Sequence, residues 1–328
     1  AGNRRITKIL LPESMVSIGE GAFFGCSQIR EVRFSAGLQR IGARAFERCI
    51  SLQEVTTSAL QVGASAFAGC KALRRAVLPG VSILSERMFA YCEELRECIA
   101  DHAKAVQPFA FSNCRKLQDF SFGRLVVIRA YAFGGCEDLD RVELQDSACV
   151  GAHAFEDCSG ITEIWLIGAE GEIRLDEYAF SGCTALQKVV FRGRTWTFHG
   201  YGDIFSEVFP EMVRFLMHSA YSCFEVEQEE ELCGYRGAGH RVKIPQGIRR
   251  IRSEVFRDRL MLQEVEIPKS VEYIGARAFH GTAWMEQRKA ENPLVSVNHM
   301  LLDGSACEGE VTVPEDIRLV CGWAFANG

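Results

Sequence analysis

The chain of 328 residues has no run of 18 consecutive apolar residues, so it has no candidate for a membrane-spanning helix. It lacks the basic and then apolar opening of a secretory leader. It begins AGNRRITKILLP, without Met, and is expected to be cut from something longer. It also lacks a surplus of positive charge. Lys and Arg number 37 against 43 Asp and Glu, a net charge of −6, which argues against a nucleic-acid partner. No nucleophile elbow, phosphate-binding P-loop, H-E-x-x-H helix or EF-hand loop is present. The expectation is a protein that is not an enzyme and needs no cofactor. Disorder is excluded as well, because 48% of the residues are hydrophobic and 24% charged.

What the chain has instead is a repeat. Phe-x-x-Cys occurs eight times. Its phenylalanines are Phe23, Phe46, Phe67, Phe89, Phe111, Phe133, Phe155 and Phe180. Its cysteines are Cys26, Cys49, Cys70, Cys92, Cys114, Cys136, Cys158 and Cys183. The spacing stays near 22 residues, and Phe256, Phe279 and Phe325 continue it at 23 and then twice 23 residues. Six residues after each Phe stands Leu or Ile, and nine after stands a position such as Val32, Val55 or Val142. Eleven after, the residue is mostly apolar again (Phe34, Leu78, Phe122, Leu144, Leu166). The last of these alternate, which predicts a short strand with one face buried. Five residues before Phe, Ile18, Ile41, Val62 and Leu84 predict a second extended piece. The A-F-x-x-C segment is too short for an ordinary helix and reads as one helical or 3₁₀ turn. One such coil cannot bury its own apolar residues, but stacked coils can, so the architecture is a solenoid.

The regular array ends near residue 192. Residues 193–241 read as a degenerate coil plus a hairpin insertion, with Phe205 in the Phe position and Met212, Phe215 and Met217 as a shifted strand. Residues 242–328 continue the repeats. Two stretches, 224–256 and 295–325, align as extended segment, leucine, Gly-containing turn and V-x-I/V-P strand before the Phe ladder resumes. The expectation is one continuous solenoid over 1–192, 193–241 and 242–328.

The unit L-x-x-V-x-[LFI]-P-x-x-[VLM]-x-x-I-G-x-x-A-F-x-x-C resembles the BspA-type leucine-rich repeat, also seen in Treponema-type surface repeats. "LPESMVSIGEGAFFGCSQIREVRF" (11–34) and "IPKSVEYIGARAFHGTAWM" (267–285) carry it most plainly. "LLDGSACEGEVTVPEDI" (301–317) resembles the hairpin insertions of such proteins from anaerobic gut bacteria. The resemblance implies a right-handed, mostly β solenoid with a parallel strand ladder. It implies a cell-surface or secreted protein that binds or adheres to other macromolecules without catalysis. An intracellular scaffold with reduced thiols is the alternative, given the cysteine content.

Sharper chemistries find little support. The repeated thiols offer one ligand per coil, unlike the paired spacing of zinc sites, and stacked side chains point the same way, which disfavours disulfides. They are expected to fill the core beside the Phe ladder, as small hydrophobes. His218, Cys223, Cys233 and His240 form a loose set whose spacing fits no standard metal site, Cys307 and Cys321 read as loop and turn residues, and no metal is expected. "GYRGAGH" (234–240) reads as a hairpin turn and "EVEQEEEL" (225–232) as a solvated edge. The informative surface is the outward side of the strand ladder. Its candidate binding residues are Arg33, Arg75, Val77, Glu97, Ile99, Arg141, Glu143, Glu163, Trp165 and Lys188, with a protein or glycan as the expected ligand.

Overall fold

The computed structural model describes residues 2–122, 127–145, 148–167 and 173–326. These divide into two compact units, Ala1–Thr197 and Phe198–Gly328. The division falls just inside the stretch where the repeat was expected to lapse.

The first unit is a parallel β-solenoid. Each coil contributes one strand to a face ladder and one to a back ladder. The face ladder contains Lys8–Leu10 paired with Glu31–Arg33, then a four-stranded sheet of Glu54–Thr56, Arg75–Val77, Glu97–Ala100 and Asp119–Phe122. A second four-stranded sheet holds Arg141–Gln145, Glu163–Ile167 and Lys188–Phe191 in parallel, closed by the antiparallel Arg194–Thr197. The register follows the repeat: Val55 opposes Ala76, Ala76 opposes Cys98, and Val142 opposes Ile164. The back ladder is built from two-residue strands such as Arg40–Ile41, Gln61–Val62 and Ile83–Leu84.

Between the ladders the Phe rings stack like coins. Successive centroids from Phe23 to Phe180 lie 4.9 to 5.6 Å apart, with planes within 19° of parallel. Phe23, in the first coil, is half-buried. Phe46, Phe67, Phe89, Phe111, Phe133, Phe155 and Phe180 are almost wholly shielded from solvent. Offset stacking at this spacing is favourable beyond the area buried.

All fourteen cysteines are free, and the eight repeated ones, Cys26 to Cys183, are buried. From Cys49 onward their thiols share one geometry. Cys49 Sγ donates to the Phe23 carbonyl at 3.2 Å, Cys70 to Phe46 at 3.2 Å, and Cys92 to Phe67 at 3.2 Å. Cys114 donates to Phe89 at 3.1 Å, and Cys136 to Phe111 at 3.3 Å. Cys158 donates to Phe133 at 3.0 Å, and Cys183 to Phe155 at 3.2 Å. Each thiol therefore reaches back to the preceding coil, whose Phe carbonyl also accepts its own coil's Cys amide. A weak donor of small volume suits that place.

The A-F-x-x-C segment carries i→i+3 bonds, such as Cys26 N–H to Phe23 O at 3.1 Å, but it is not a helix. Left-handed residues interrupt it on both sides of Phe, as at Arg44 and Arg48 (φ 57° and 61°). They turn alternate amides toward the neighbouring coil: Phe46 N–H bonds Ala66 O and Arg48 N–H bonds Ala68 O, both at 2.8 Å. Left-handed backbone costs a non-glycine residue about 1–2 kcal/mol, which these bonds between coils offset.

The second unit departs from expectation in three places. Met212, Phe215 and Met217 do not form a strand but lie on the helix Glu211–Tyr221. Its buried residues Val213, Leu216, Met217 and Ala220 recur at the helical spacing, and Pro210 stands at its N-cap. Phe205 ends a short 3₁₀ segment, is half exposed, and is not a ladder ring. A second helix, Ala283–Glu291, starts at Thr282, whose hydroxyl accepts from Met285 N–H and donates to Phe279 O at 2.8 Å. Thr282 occupies the cysteine place of its coil.

Each helix leads into a hairpin: Phe224–Glu227 with Glu231–Tyr235, and Val295–Val297 with Met300–Asp303. The tight turns use left-handed Gln228–Glu229 and Asn298–His299, not the glycine-containing stretches further on. The 234–240 stretch is therefore the exit of a hairpin rather than its turn. Within the second unit the returning strands pair with short two-residue strands, with Leu232 beside Ile251 and Leu301 beside Val320. Arg241–Lys243 pairs with Glu264–Glu266 as a face strand, whereas Val311 and Val313 are exposed and form no strand.

Candidate functional site

Alternation puts every second residue of a face strand into solvent. The outward columns run in register. Glu54, Arg75, Glu97 and Asp119 are cross-strand neighbours, as are Arg141, Glu163 and Lys188. In the next column Thr56, Val77, Ile99 and Ser121 adjoin, and Glu143, Trp165 and Val190 adjoin. The candidate residues thus fall into three groups: Arg33 alone, Arg75 to Ile99 on one sheet, and Arg141 to Lys188 on the other.

The third group is the most ordered. Trp165 is half-buried, with the Arg141 guanidinium 5.3 Å and the Lys188 ammonium 5.4 Å from its ring centroid. Its indole N–H donates to Glu163 Oε2 at 2.8 Å, and Glu163 Oε1 pairs with Lys188 at 2.9 Å. The Lys188 ammonium, with the Trp165 N–H, holds the Glu163 carboxyl below the usual carboxylate range. Arg141 also pairs with Glu143 at 3.1 Å. An aromatic ring held between two cations and tethered by a carboxylate has few rotamers left to lose on binding. In the other groups, Arg33 bonds Glu31 at 2.8 Å, Arg75 pairs with Glu97, and Val77 and Ile99 form a small half-buried apolar patch between their strands.

The face is also interrupted, which the repeat pattern does not predict. Among the described residues no backbone ladder joins Glu31–Arg33 to Glu54–Thr56, and none joins Asp119–Phe122 to Arg141–Gln145. Phe120 and Phe122 place two rings, 4.9 Å apart, where the flanking coils carry Cys98 with Ala100 and Val142 with Leu144. Both rings lean on Phe133, and both stay half-buried. The opening is a cleft of about 530 Å³ lined by Gln118, Asp119, Phe120, Asp140, Arg141, Glu143, Thr162 and Glu163. Phe120 is the one aromatic in its column of Val, Ile, Ala and Cys.

A further column, outside the predicted face, lies on the turn surface. Arg87, Phe109, Tyr131, His153 and Tyr178 each precede a ladder Phe by two residues. Their rings stack 4.9 to 5.5 Å apart, with Arg87 over Phe109. Because the ring faces are spent on one another, the column stiffens the turns and presents mainly edges.

The loose set His218, Cys223, Cys233 and His240 is spread over a helix, a turn, a strand and a loop. Among the described residues, the set of side chains close enough to share a cation is Glu227, Glu231 and Cys233. Arg252 already supplies that cation, with Nη1 3.0 Å from Glu227 and Nη2 2.9 Å from Glu231. Other glutamates of 225–232 are also paired: Glu225 with Arg236, Glu230 with Arg249, and Glu231 with Arg250. Among the described residues no helix is long and apolar enough to cross a membrane.

Among solved structures, the chain is similar over most of its length to a leucine-rich repeat protein from Bacteroides ovatus, with 20% identity, TM-score 0.48, and coverage of 87% of this chain and 81% of that one. It is similar also to a leucine-rich cell surface protein from Faecalibacterium prausnitzii, with 20% identity, TM-score 0.46, and coverage of 84% and 66%. A leucine-rich repeat protein of T. pallidum matches at 22% identity and TM-score 0.29, over 55% of this chain and 78% of that one. No curated protein matches the chain. The family profile for the BspA type leucine-rich repeat region matches residues 2–118, 104–212 and 237–328, in six copies, and the chain belongs to that family.

Proposed function

We propose that the chain is a non-catalytic module that binds another macromolecule through its strand face, displayed at a cell surface or secreted. The observation that carries this reading is the Trp165 clamp, in which Arg141, Lys188 and Glu163 hold an indole ready on an outward strand position. Tryptophan and arginine are the usual interface anchors, and side chains on paired strands need little ordering when a partner arrives. The array of coils supplies a stiff base for such a face.

The test is a glycan array and a surface-protein array probed with the native chain and with a Trp165→Ala, Arg141→Ala, Arg75→Ala variant. The partners bound by the native chain are expected to be lost from the variant while its circular dichroism is unchanged. Unaltered binding by the variant would remove the strand face from consideration. The fourteen free thiols favour a second reading, an intracellular scaffold in a reducing compartment. Protease treatment of intact source cells separates the two, since only a displayed protein is cut.

A further inference from the structure

Several outward charges of the face strands are paired across neighbouring strands. Arg75 meets Glu97, Lys188 meets Glu163, and in the second unit Arg241 meets Glu264. Asp119 continues the column after Glu97, and the next coil offers Arg141. The ladder is open at that step, so the pair does not form. Arg141 turns instead to Glu143 and lies over Trp165. Asp119 and Asp140 are left on the wall of the cleft without an ion-pair partner among the described residues, and half-buried Phe120 lies between them in sequence and lines the same space. The coils beneath keep ordinary spacing, with Phe111 and Phe133 centroids 5.2 Å apart. A whole strand would need about 4.8 Å more than that, so the cleft admits side chains and not an inserted strand.

We infer that this cleft receives a lysine or arginine side chain from an extended basic polypeptide lying across the strand face. The cation takes the place of the missing column partner of Asp119 and Asp140, and its aliphatic stem covers Phe120. Neighbouring Glu143 and Glu163 are already matched by Arg141 and Lys188, so the uncompensated charge is confined to the two aspartates. This inference rests on the strand face being the binding face and names the chemistry of its partner.

The probe is a fluorescein-labelled (Gly-Lys)₆ peptide, followed by anisotropy at 50 and 300 mM salt, with (Gly-Glu)₆ and maltohexaose as the competing chemistries. The native chain is expected to bind the lysine peptide, less tightly at the higher salt. An Asp119→Asn, Asp140→Asn variant should bind about tenfold more weakly, within the range for two exposed ion pairs. A Glu13→Gln, Glu272→Gln variant, with the same change in net charge, should bind like the native chain. Equal weakening in both variants would mean nonspecific attraction to an acidic protein and would overturn the inference. So would no binding by the native chain, or preference for maltohexaose or the glutamate peptide. If the Trp165 variant loses its array partners while the aspartate variant keeps them, this inference fails and the face assignment survives. If neither variant loses them, the face assignment fails too.

Discussion

Raising the pH above about 8 should destabilise the repeat array steeply. Six thiols sit where burial pushes their ionisation upward: Cys49 to about 12, and Cys70, Cys92, Cys98, Cys114 and Cys136 likewise raised. Unfolded, each would ionise near its ordinary value of about 8.5. A pKa raised by folding contributes stability that is fully present below the unfolded value and is lost as pH climbs toward the folded one. Between pH 8 and 9.5 the loss is about 1.2 kcal/mol per thiol, or about 7 kcal/mol for six. That is comparable with the whole stability of an ordinary domain, about 5–15 kcal/mol. The assay is the urea midpoint by circular dichroism from pH 7 to 9.5, in a phosphine reductant. The midpoint should hold steady to about pH 8 and then fall steeply. Replacing Cys92 and Cys114 with Ala should lower the plateau but flatten the fall by about a third, two thiols of six. A midpoint indifferent to pH up to 9.5 would refute the claim that these sulfurs are buried as neutral donors.

Two further perturbations probe the core directly. Phe111→Ala removes a ring stacked on both Phe89 and Phe133 and should cost about 3–5 kcal/mol, whereas Cys114→Ala removes a single sulfur and should cost about 1 kcal/mol. The Phe89 carbonyl keeps its Cys92 amide in the second case, so near-equal costs in a urea titration would contradict the ladder. Gly63→Ala should destabilise by about 1–3 kcal/mol, because a β-carbon there would collide with the Ala43 backbone of the preceding coil. Thermal melting checks this, and an unchanged midpoint would show that the coils can part.

Much of the fold is legible because the repeat is periodic. The spacing of Phe, Cys, Leu and Val locates the coils, the inward and outward sides of each strand, and the register that sets Val77 beside Ile99 and Glu143 beside Trp165. In the irregular stretch the same template misleads. It predicts a strand around Met212, although Val213, Leu216, Met217 and Ala220 repeat at helical spacing and form a helix. It places the hairpin turns at glycines, while Gln228–Glu229 and Asn298–His299 adopt the left-handed conformation instead. In both cases the repeat extends over residues whose local pattern, or whose backbone, obeys a different rule.

The sequence by itself determined what lies inside, because a 22-residue coil with that apolar spacing has only its neighbours to bury it. The tertiary structure decided what the outside offers. Which carbonyl a thiol reaches depends on the coil before it, and which cations rest on Trp165 depends on the strands before and after its own. Beside Asp119 the face strands part where Phe120 and Phe122 lean on Phe133 of the next coil. These are distances and volumes between coils, and a pattern of residue types along one coil does not contain them.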